Sequence, residues 1–331
     1  MGMQITRYEF IARAIDPIAH HAESLGNMSI FMRKRMMLPS GRVLEVPFIT
    51  GDSIRHNARE ASVYATLDAA GFLDDPKLSE GALRLLFAGG MVTAKGDAST
   101  INLDSYRELV HLFPPLALLG GCVDNRPLPG QLIVDEGNLI CAETIHTAPD
   151  WIHAWLEKEG VEIQSHRRLT EEVTRVRFDP TLSPEKQKLL TESAQMSVNR
   201  RLLASGKAHD EGDTKEAERE KSTNMPRSFE RIIQGSLFWF GIEARTYTPL
   251  EADAFDYTVA CLLNNFTVGG KHATGHGRLK FAHGNRIHFA PTSGDLESME
   301  SGLAAKAGSM YRAHVQANKE QLRAWLDKVA A

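Results

Sequence analysis

The order of polar and apolar positions predicts an extended first segment and a helix further along the chain. From Gln4 to Ile15 the sequence QITRYEFIARAI alternates polar with apolar residues, as a half-buried β-strand does. From Gly51 the sequence GDSIRHNAREASVYATLDAAG carries apolar residues at helical spacing. We expect Asp52 or Ser53 to cap this helix and Gly71 to end it.

The rest of the chain mixes predicted strands and helices without a regular alternation. Further helices are predicted at about Ser79–Phe87, Ser105–Leu112, Pro249–Leu263 and residues 301–330. Strands are predicted in VLEVPFIT (residues 43–50), in a hairpin around Glu136-Gly137 and in FERIIQGSLFWFGIEART (residues 229–246), whereas FPPLALLGGC (residues 113–122) is predicted to be loop-like. This mixture favours an α+β fold over a doubly wound sheet.

Composition and charge exclude several classes of protein. The 331 residues are 42% hydrophobic and 24% charged, as in ordinary globular proteins. With 38 basic against 42 acidic residues, the net charge of −4 excludes a uniformly basic nucleic-acid coat, so any polyanion site is a local patch. Three widely spaced cysteines without a CxxC pair argue against a disulfide framework and a cysteine-based zinc site. We expect a cytoplasmic protein without a membrane span.

Two segments without acidic residues are candidates for such a patch. Residues 257–294 contain no Asp or Glu but carry several Lys, Arg and His residues, and residues 31–42 contain the run Arg33, Lys34 and Arg35. A short basic run is often only a solvated face, but two runs beside loop-like sequence favour a phosphate-binding surface. By contrast, 24 of the 61 residues from Arg167 to Arg227 are charged, with both signs, which predicts exposed segments outside the core.

A glycine-rich stretch, GGKHATGHGRL (residues 269–279), lies within the first acid-free segment. Its glycines permit positive φ and close approach of the backbone to a ligand, while Lys271 and Arg278 supply positive charge. The stretch matches neither the GxxxxGK[ST] nucleotide pattern nor the GxGxxG dinucleotide pattern. It is either a tight turn between a helix and a strand or a loop that follows a nucleic-acid backbone.

Four segments resemble, in the right order, those of the RAMP superfamily, the RNA-binding proteins of CRISPR systems. VPFITGDSIRHNAR resembles the family's (V/P)-x-IPGSS-L-(K/R)-G-x-x-R pattern, and GGKHATGHGRL resembles its glycine-rich loop. LALLGGCVDNRPLPGQLIVDEGNLICAET and FERIIQGSLFWFGIEA resemble two strand-containing segments that lie between them. The matching residues in VPFITGDSIRHNAR are Pro47, Ile49, Gly51, Ser53, Ile54, Arg55 and Arg59. Those in FERIIQGSLFWFGIEA are Glu230, Gly235, Ser236 and Phe238. Asp52 departs from the small polar residue that is usual in the family.

The resemblance implies a ferredoxin-like (RRM-like) palm with a helical finger insertion and a β-hairpin thumb. It implies one RAMP-type domain over residues 1–331, with a finger or loop insertion at about residues 17–46 and a thumb region at about residues 166–227. The length, the long insertion and the single glycine-rich loop resemble the backbone subunit of a CRISPR effector complex, with type IV the most similar type.

Such a subunit has an implied role in antiviral and anti-plasmid defence, within a ribonucleoprotein complex. Copies form a homo-oligomeric filament along the CRISPR guide RNA (crRNA), hold it by phosphate and sugar, and leave its bases to pair with target DNA or RNA. The implied partners are therefore the guide RNA, the paired target, further copies of the chain, other effector subunits and a helicase. No membrane partner, cofactor or metal is expected.

The residues that we expect to contact RNA come from the motifs and the basic runs. Those outside the thumb region are Arg33, Lys34, Arg35, Ser53, Arg55, His56, Asn57, Arg59, Arg126, Gly269, Gly270, Lys271, His272, Thr274, Gly275, His276 and Arg278. Those in or near the thumb region are Arg200, Arg201, Lys221 and Arg227. For Arg55 and Arg59, which share a helix face, the alternative is pairing with nearby acids.

We expect the chain to be non-catalytic, against two enzymatic alternatives. The first is a RAMP-type endoribonuclease that uses histidine, since His20-His21 follows the first strand. Type III subunits of the family cleave target RNA with an aspartate from the corresponding interval, but residues 17–51 contain no aspartate. The second alternative is a metabolic enzyme that binds a phosphorylated small molecule in the glycine-rich stretch.

Overall fold

The computed structural model describes residues 2–74, 78–90, 103–123, 126–176, 191, 226–289, 294–298 and 307–329. The chain divides into two compact units. The first unit comprises residues 1–21, 31–171 and 231–331, and the second comprises residues 22–30 and 172–230.

The described strands and helices mix along the chain, as an α+β fold requires. The strands are β1 (Gln4–Ala14), β2 (His21–Leu25), β3 (Met28–Phe31), β4 (Arg33–Met37), β5 (Val43–Ile49), β6 (Gly121–Val123), β7 (Arg126–Leu128), β8 (Leu132–Val134), β9 (Gly137–Leu139), β10 (Thr170–Val176), β11 (Pro226–Ile232), β12 (Leu237–Thr246), β13 (Leu279–Phe289) and β14 (Gly294–Ser298). The α-helices are α1 (Gly51–Ala69), α2 (Glu80–Ala88), α3 (Leu103–Leu112), α4 (Pro114–Leu119), α5 (Asp150–Lys158), α6 (His166–Leu169), α7 (Pro249–Asn264), α8 (Ser309–Ala317) and α9 (Lys319–Val329).

The central sheet has the strand order β14-β13-β1-β12-β9-β5-β4, and β8 also pairs with β12. The first strand, β1, lies between β12 and β13 and is antiparallel to both. Along the chain, α1 lies between β1 and β9, and α7 lies between β12 and β13. The two longest of the described helices thus each lie between strands that belong to the same sheet.

Alternation along β1 explains why this strand is central. Tyr8, Phe10 and Ala12 are fully buried on one face and pack into the main apolar core. Phe10 stacks on Phe240 of β12 with ring centroids 5.3 Å apart, and α1 and α7 cover this side of the sheet through residues such as Ile54. Because the aromatic side chains lie on one face only, the register of β1 is fixed.

Two smaller cores surround this centre. One joins α1 and α7 to the helices α2, α3, α4, α8 and α9, with Leu86, Phe113 and Tyr311 fully buried. The other lies on the opposite face of the sheet, where Ile152 and Leu156 of α5 pack against Ile11. Among the described residues, no helix is long and apolar enough to cross a lipid bilayer.

Three local predictions from the sequence are wrong. Residues 113–122 are not loop-like, because Pro114 and Pro115 occupy the first turn of α4, where no amide hydrogen is needed. The hairpin at Glu136-Gly137 does not form: β8 and β9 both pair with β12, on either side of a short irregular stretch. Residues 17–46, expected to form a finger or loop insertion with the finger helical, lie wholly within the described part of the chain and contain β2, β3, β4 and the start of β5 but no helix, and β4 pairs with β5.

The second unit contains most of a four-stranded sheet with the order β10-β11-β3-β2. Its β3 pairs in parallel with β11, with Met28 opposite Ser228. Phe229 is buried, and the guanidinium carbon of Arg175 lies 5.6 Å from its ring centroid. Most of the region predicted as the thumb, residues 166–227, lies outside the described residues, and its β-hairpin form therefore stays a prediction.

Candidate nucleic-acid interface

The N-terminus of α1 is capped by Thr50, the residue directly before the helix. The Thr50 side chain accepts a hydrogen bond from the Ser53 amide at 3.4 Å, so the prediction of Asp52 or Ser53 as the cap is wrong. Asp52 is exposed in the first turn, where its charge suits the helix dipole. The Ser53 hydroxyl instead accepts a hydrogen bond from the Gly269 amide at 3.4 Å and so reaches the glycine-rich stretch.

The glycine-rich loop, residues 267–278, is held against α1 and against the segment that follows β1. The Thr267 hydroxyl donates to Asn57 Oδ1 at 3.2 Å. The amides of Gly270 and Gly277 donate to the carbonyls of Ala19 (2.7 Å) and Pro17 (3.0 Å). Three segments that are distant in sequence therefore meet at one place, and the structure brings Ser53 and Asn57, two of the residues expected to contact RNA, to the loop.

Glycine is required in this loop where backbones approach closely. Gly269 has a φ of +73°, and a Cβ atom there would lie 2.3 Å from the Ala19 carbonyl oxygen. At Gly277 (φ +97°) a Cβ atom would lie 2.5 Å from the Val268 carbonyl oxygen. Gly275, with a φ of +75°, has open space around it, so only its backbone conformation favours glycine.

Lys271 is a lysine in the left-handed region, with a φ of +63°, and it is exposed. That conformation disfavours residues with a Cβ by about 1–2 kcal/mol. A glycine would adopt it more easily, yet the loop has its positive charge at this position. Strained residues of this kind cluster at functional sites.

Arg278 is the last residue of the loop and forms an ion pair with Asp16. Its guanidinium donates to both carboxylate oxygens of Asp16, at 2.5 and 2.9 Å, and its side chain remains 63% exposed. The hydrogen bonds from Arg278 lower the pKa of Asp16, and the same contact raises the pKa of Arg278. The arginine is thus oriented at the surface by a carboxylate rather than buried by it.

The histidines and threonine of the loop differ in exposure. His272 and Thr274 are exposed, and His272 Nδ1 lies 3.1 Å from the His276 carbonyl oxygen. His276 is only 2% exposed, with Nδ1 3.0 Å from the Thr274 carbonyl oxygen and Nε2 3.3 Å from Arg231 Nη1. The prediction that His276 contacts RNA is therefore not supported, because its ring is buried and both nitrogens face protein atoms.

Arg55 and Arg59 are directed into the protein. Arg59 is 9% exposed and donates from Nη2 to the carbonyls of Leu119 (3.2 Å) and Gly120 (2.8 Å). Arg55 donates to the carbonyls of Leu119 and Leu132. The carbonyls of Leu119 and Gly120 lie at the C-terminus of α4, where positive charge is favourable, and Leu132 belongs to β8.

Burial, reinforced by the charge of Arg55, lowers the pKa of Arg59 to about 10. The prediction that both arginines contact phosphate is not supported for Arg59, because its guanidinium is covered by protein: Nη2 donates to two carbonyls and Nη1 is buried without a hydrogen-bond partner among the described residues. The alternative of pairing with acids is not supported for Arg59 either, since the partners described for it are backbone carbonyls. His56, on the outer face of α1, is exposed, and its Nε2 lies 3.9 Å from Glu60.

The basic run in β4 alternates across the sheet. Lys34 donates to Glu136 Oε2 and Asn138 Oδ1, both at 2.6 Å, while Arg33 and Arg35 lie on the other face of the strand. Arg35 is exposed and lies opposite Glu45 of β5. The run therefore does not form one continuous cationic surface.

The remaining predicted contacts are only partly described. Arg200, Arg201 and Lys221 lie outside the described residues. The backbone of Arg126 belongs to β7, opposite Val123, and its side chain is outside the described part. Arg227 is exposed in β11, within the second unit.

Thr50, which positions the start of α1, was not identified from the sequence. Thr50 donates its amide hydrogen to His20 Nε2 at 3.2 Å, so His20 links the segment after β1 to the start of α1. Burial, together with the neighbouring His21, lowers the pKa of His20. The sequence signal was the threonine directly before Gly51, a preferred capping residue. Among the described residues, no group of three His, Cys, Asp or Glu side chains is placed to hold a metal ion.

Comparison with solved structures shows a shared fold. The chain shares its fold with a chain of a solved structure described as "Type IV-B CRISPR Complex", with a TM-score of 0.51 and 17% sequence identity. The match covers 87% of this chain and 92% of the other. No protein-family model matches the sequence, and no curated protein matches it.

Proposed function

We propose that this chain is a non-catalytic, RNA-binding backbone subunit of a CRISPR effector complex. The observation that carries the proposal is the shared fold with a chain of a Type IV-B CRISPR complex over most of both chains. The order of RAMP-like motifs along the sequence supports it independently of that fold. In this function, copies assemble along a guide RNA, and the guide then pairs with the invading nucleic acid.

The palm of this subunit is the central sheet with α1 and α7. Strands β13, β1, β12 and β9 lie side by side in that order. With α1 between β1 and β9 and α7 between β12 and β13, these four strands and two helices follow one another as β-α-β-β-α-β along the chain, an order that supports the proposed ferredoxin-like palm. The glycine-rich loop follows α7 and precedes β13, at the edge of this palm.

The glycine-rich loop holds the RNA backbone. Lys271, His272 and Arg278 are exposed on it, and the start of α1 lies beside it with His56 exposed. A guide RNA changes its sequence with every spacer, so it is held by phosphate and sugar rather than by its bases. Exposed cations on a fixed backbone suit this task, because they bind phosphates without reading sequence.

The proposal is tested by co-expression with a CRISPR array transcript and the processing subunit, followed by purification, nuclease digestion and sizing of the protected RNA. We expect a discrete protected RNA whose length grows stepwise with the number of bound copies. The double variant Lys271→Ala/Arg278→Ala shortens or removes the protected RNA, whereas Lys319→Ala, in an exposed lysine of α9, leaves it unchanged. A monomer free of RNA contradicts the proposal, and cleavage of the array transcript by the purified chain alone, without the processing subunit or added nuclease, supports the endoribonuclease instead.

A further inference from the structure

A groove of about 520 Å³ lies along α1, beside the C-terminal end of α7. Glu60, Tyr64 and Asp68 are four residues apart on α1, with Ala61 and Ala65 beside them, so one face of the helix forms one wall. The other lining residues are Asn57, Leu73, Cys261, Asn264, Asn265 and Thr267.

The α1–α7 groove combines apolar surface with negative charge. Tyr64 is 50% exposed and Leu73 is 44% exposed, which is unusual for large apolar side chains on the same concave surface. Glu60 and Asp68 are exposed, and Lys, Arg and His are absent from the described lining. Such a groove repels phosphates and fits an apolar side chain that is flanked by a cation.

The same chain carries a segment with these properties. The tip of the β4–β5 hairpin, residues 37–43, presents Met37, which is 65% exposed, and Val43, which is 42% exposed. Arg42 is exposed between them, and a hydrogen bond of 2.8 Å from the Leu38 amide to the Arg42 carbonyl closes the turn. β4 is the end strand in the described order of the central sheet, so the hairpin lies at a sheet edge.

We propose that the β4–β5 hairpin tip of one copy docks into the α1–α7 groove of a second copy. The inference rests on the proposed function, since a filament along RNA needs a contact between copies. The contact is heterologous, because it joins two different surfaces, and every copy carries both. Such contacts repeat from head to tail. Met37 and Val43 fill the apolar part, and Arg42 meets the carboxylates of Glu60 and Asp68.

The test is a charge exchange across the contact. Arg42→Glu and Glu60→Arg/Asp68→Arg are prepared separately and combined, and assembly on a long RNA is measured by sedimentation. Like charges then face each other in each separate variant, so we expect self-association to weaken about tenfold or more. The combined variant restores it. Glu320→Arg, in an exposed acid of α9, serves as the matched control and assembles normally.

Affinity for a short RNA that accommodates one copy separates this inference from the proposed function. We expect that affinity to be unchanged in Arg42→Glu and not to fall in Glu60→Arg/Asp68→Arg, which adds positive charge near the loop. Separate variants that assemble like the wild type overturn the inference, as does a combined variant that remains defective. Loss of short-RNA affinity in Arg42→Glu also overturns it, because the tip is then an RNA contact. A wild-type chain that binds neither RNA overturns the proposed function, and this inference with it.

Discussion

Arg59 in α1 and Arg278 in the glycine-rich loop both lie in segments that resemble RNA-binding motifs, but their surroundings are opposite. Arg59 is 9% exposed and donates to the backbone carbonyls of Leu119 and Gly120. The side chain of Arg278 is 63% exposed and is oriented at the surface by Asp16. The surroundings of each cation therefore differ: the carbonyls at the end of α4 hold Arg59 inside the protein, whereas most of the Arg278 side chain remains in solvent, where we propose that it meets RNA.

The largest expected effect is on stability at Arg59. Arg59→Ala removes the side-chain donor to the Gly120 carbonyl and leaves a cavity, while Arg55 still donates to the Leu119 carbonyl. We therefore expect the free energy of unfolding to fall by about 2–4 kcal/mol. Urea denaturation measures this loss, and Arg278→Ala is the comparison variant, which leaves the unfolding free energy nearly unchanged.

For RNA affinity we expect the larger loss in Arg278→Ala and the smaller loss in Arg59→Ala, the reverse of their order in stability. Arg278→Ala weakens RNA binding, while the folded fraction of Arg59→Ala binds like the wild type. Filter binding at a temperature where both variants are folded measures it. An equal loss of affinity in the two variants would remove the distinction between the buried and the exposed arginine.

The next effect separates two glycines of the loop. A Cβ at Gly269 would lie 2.3 Å from the Ala19 carbonyl oxygen, whereas Gly275 has open space around it. We expect Gly269→Ala to lower the free energy of unfolding by about 2–3 kcal/mol, through both its φ and the clash. For Gly275→Ala we expect about 1 kcal/mol, from φ alone. Thermal unfolding distinguishes them, and equal losses would mean that the contact with Ala19 is not formed.

A smaller effect at Lys271 has opposite signs for stability and binding. Lys271→Gly relieves the positive φ, so we expect the free energy of unfolding to stay constant or to rise by up to about 1 kcal/mol. RNA binding weakens, and the slope of log affinity against log salt falls by about 0.7, as for one lost phosphate contact on a single strand. Lys280→Ala is the control on β13. An unchanged salt slope in Lys271→Gly would contradict a phosphate contact.

The smallest effect concerns pH. The pKa of His20 is lowered from 6.5 by burial, and its Nε2 accepts from the Thr50 amide, so the native state holds this ring neutral. The unfolded state takes up the proton first, so stability decreases as the pH falls through 6.5 toward the lowered pKa. His20→Gln is expected to flatten this dependence, measured as urea midpoints across that range. The same slope in variant and wild type would assign it to other histidines.

Much of the fold follows from local patterns in the sequence. The alternation in β1 and the helical spacing from Ile54 predict elements that the structure contains almost to the residue. α7 begins at Pro249, as predicted, and the Thr248 side chain with Glu251 forms a capping box at its start. These elements carry their own signals, since burial of one face and a cap are encoded within a few residues.

The elements that were not predicted depend on distant partners. β8 and β9 read as a hairpin, but β12 pairs with both of them. The role of Arg59 depends in the same way on α4, about sixty residues further along the chain. The sequence identifies the glycine-rich loop as a candidate site, because glycines and cations stand together there. It does not distinguish a surface arginine from one that satisfies a buried helix end.

Photocrosslinking of the RNA-bound chain, with 4-thiouridine in the RNA and mass spectrometry of the crosslinked peptides, tests the central claim most directly. The glycine-rich loop and the exposed start of α1 are predicted to carry the crosslinks, and these are lost in Lys271→Ala/Arg278→Ala. Crosslinks that fall elsewhere on the chain and persist in that variant would contradict the claim that this loop holds the RNA.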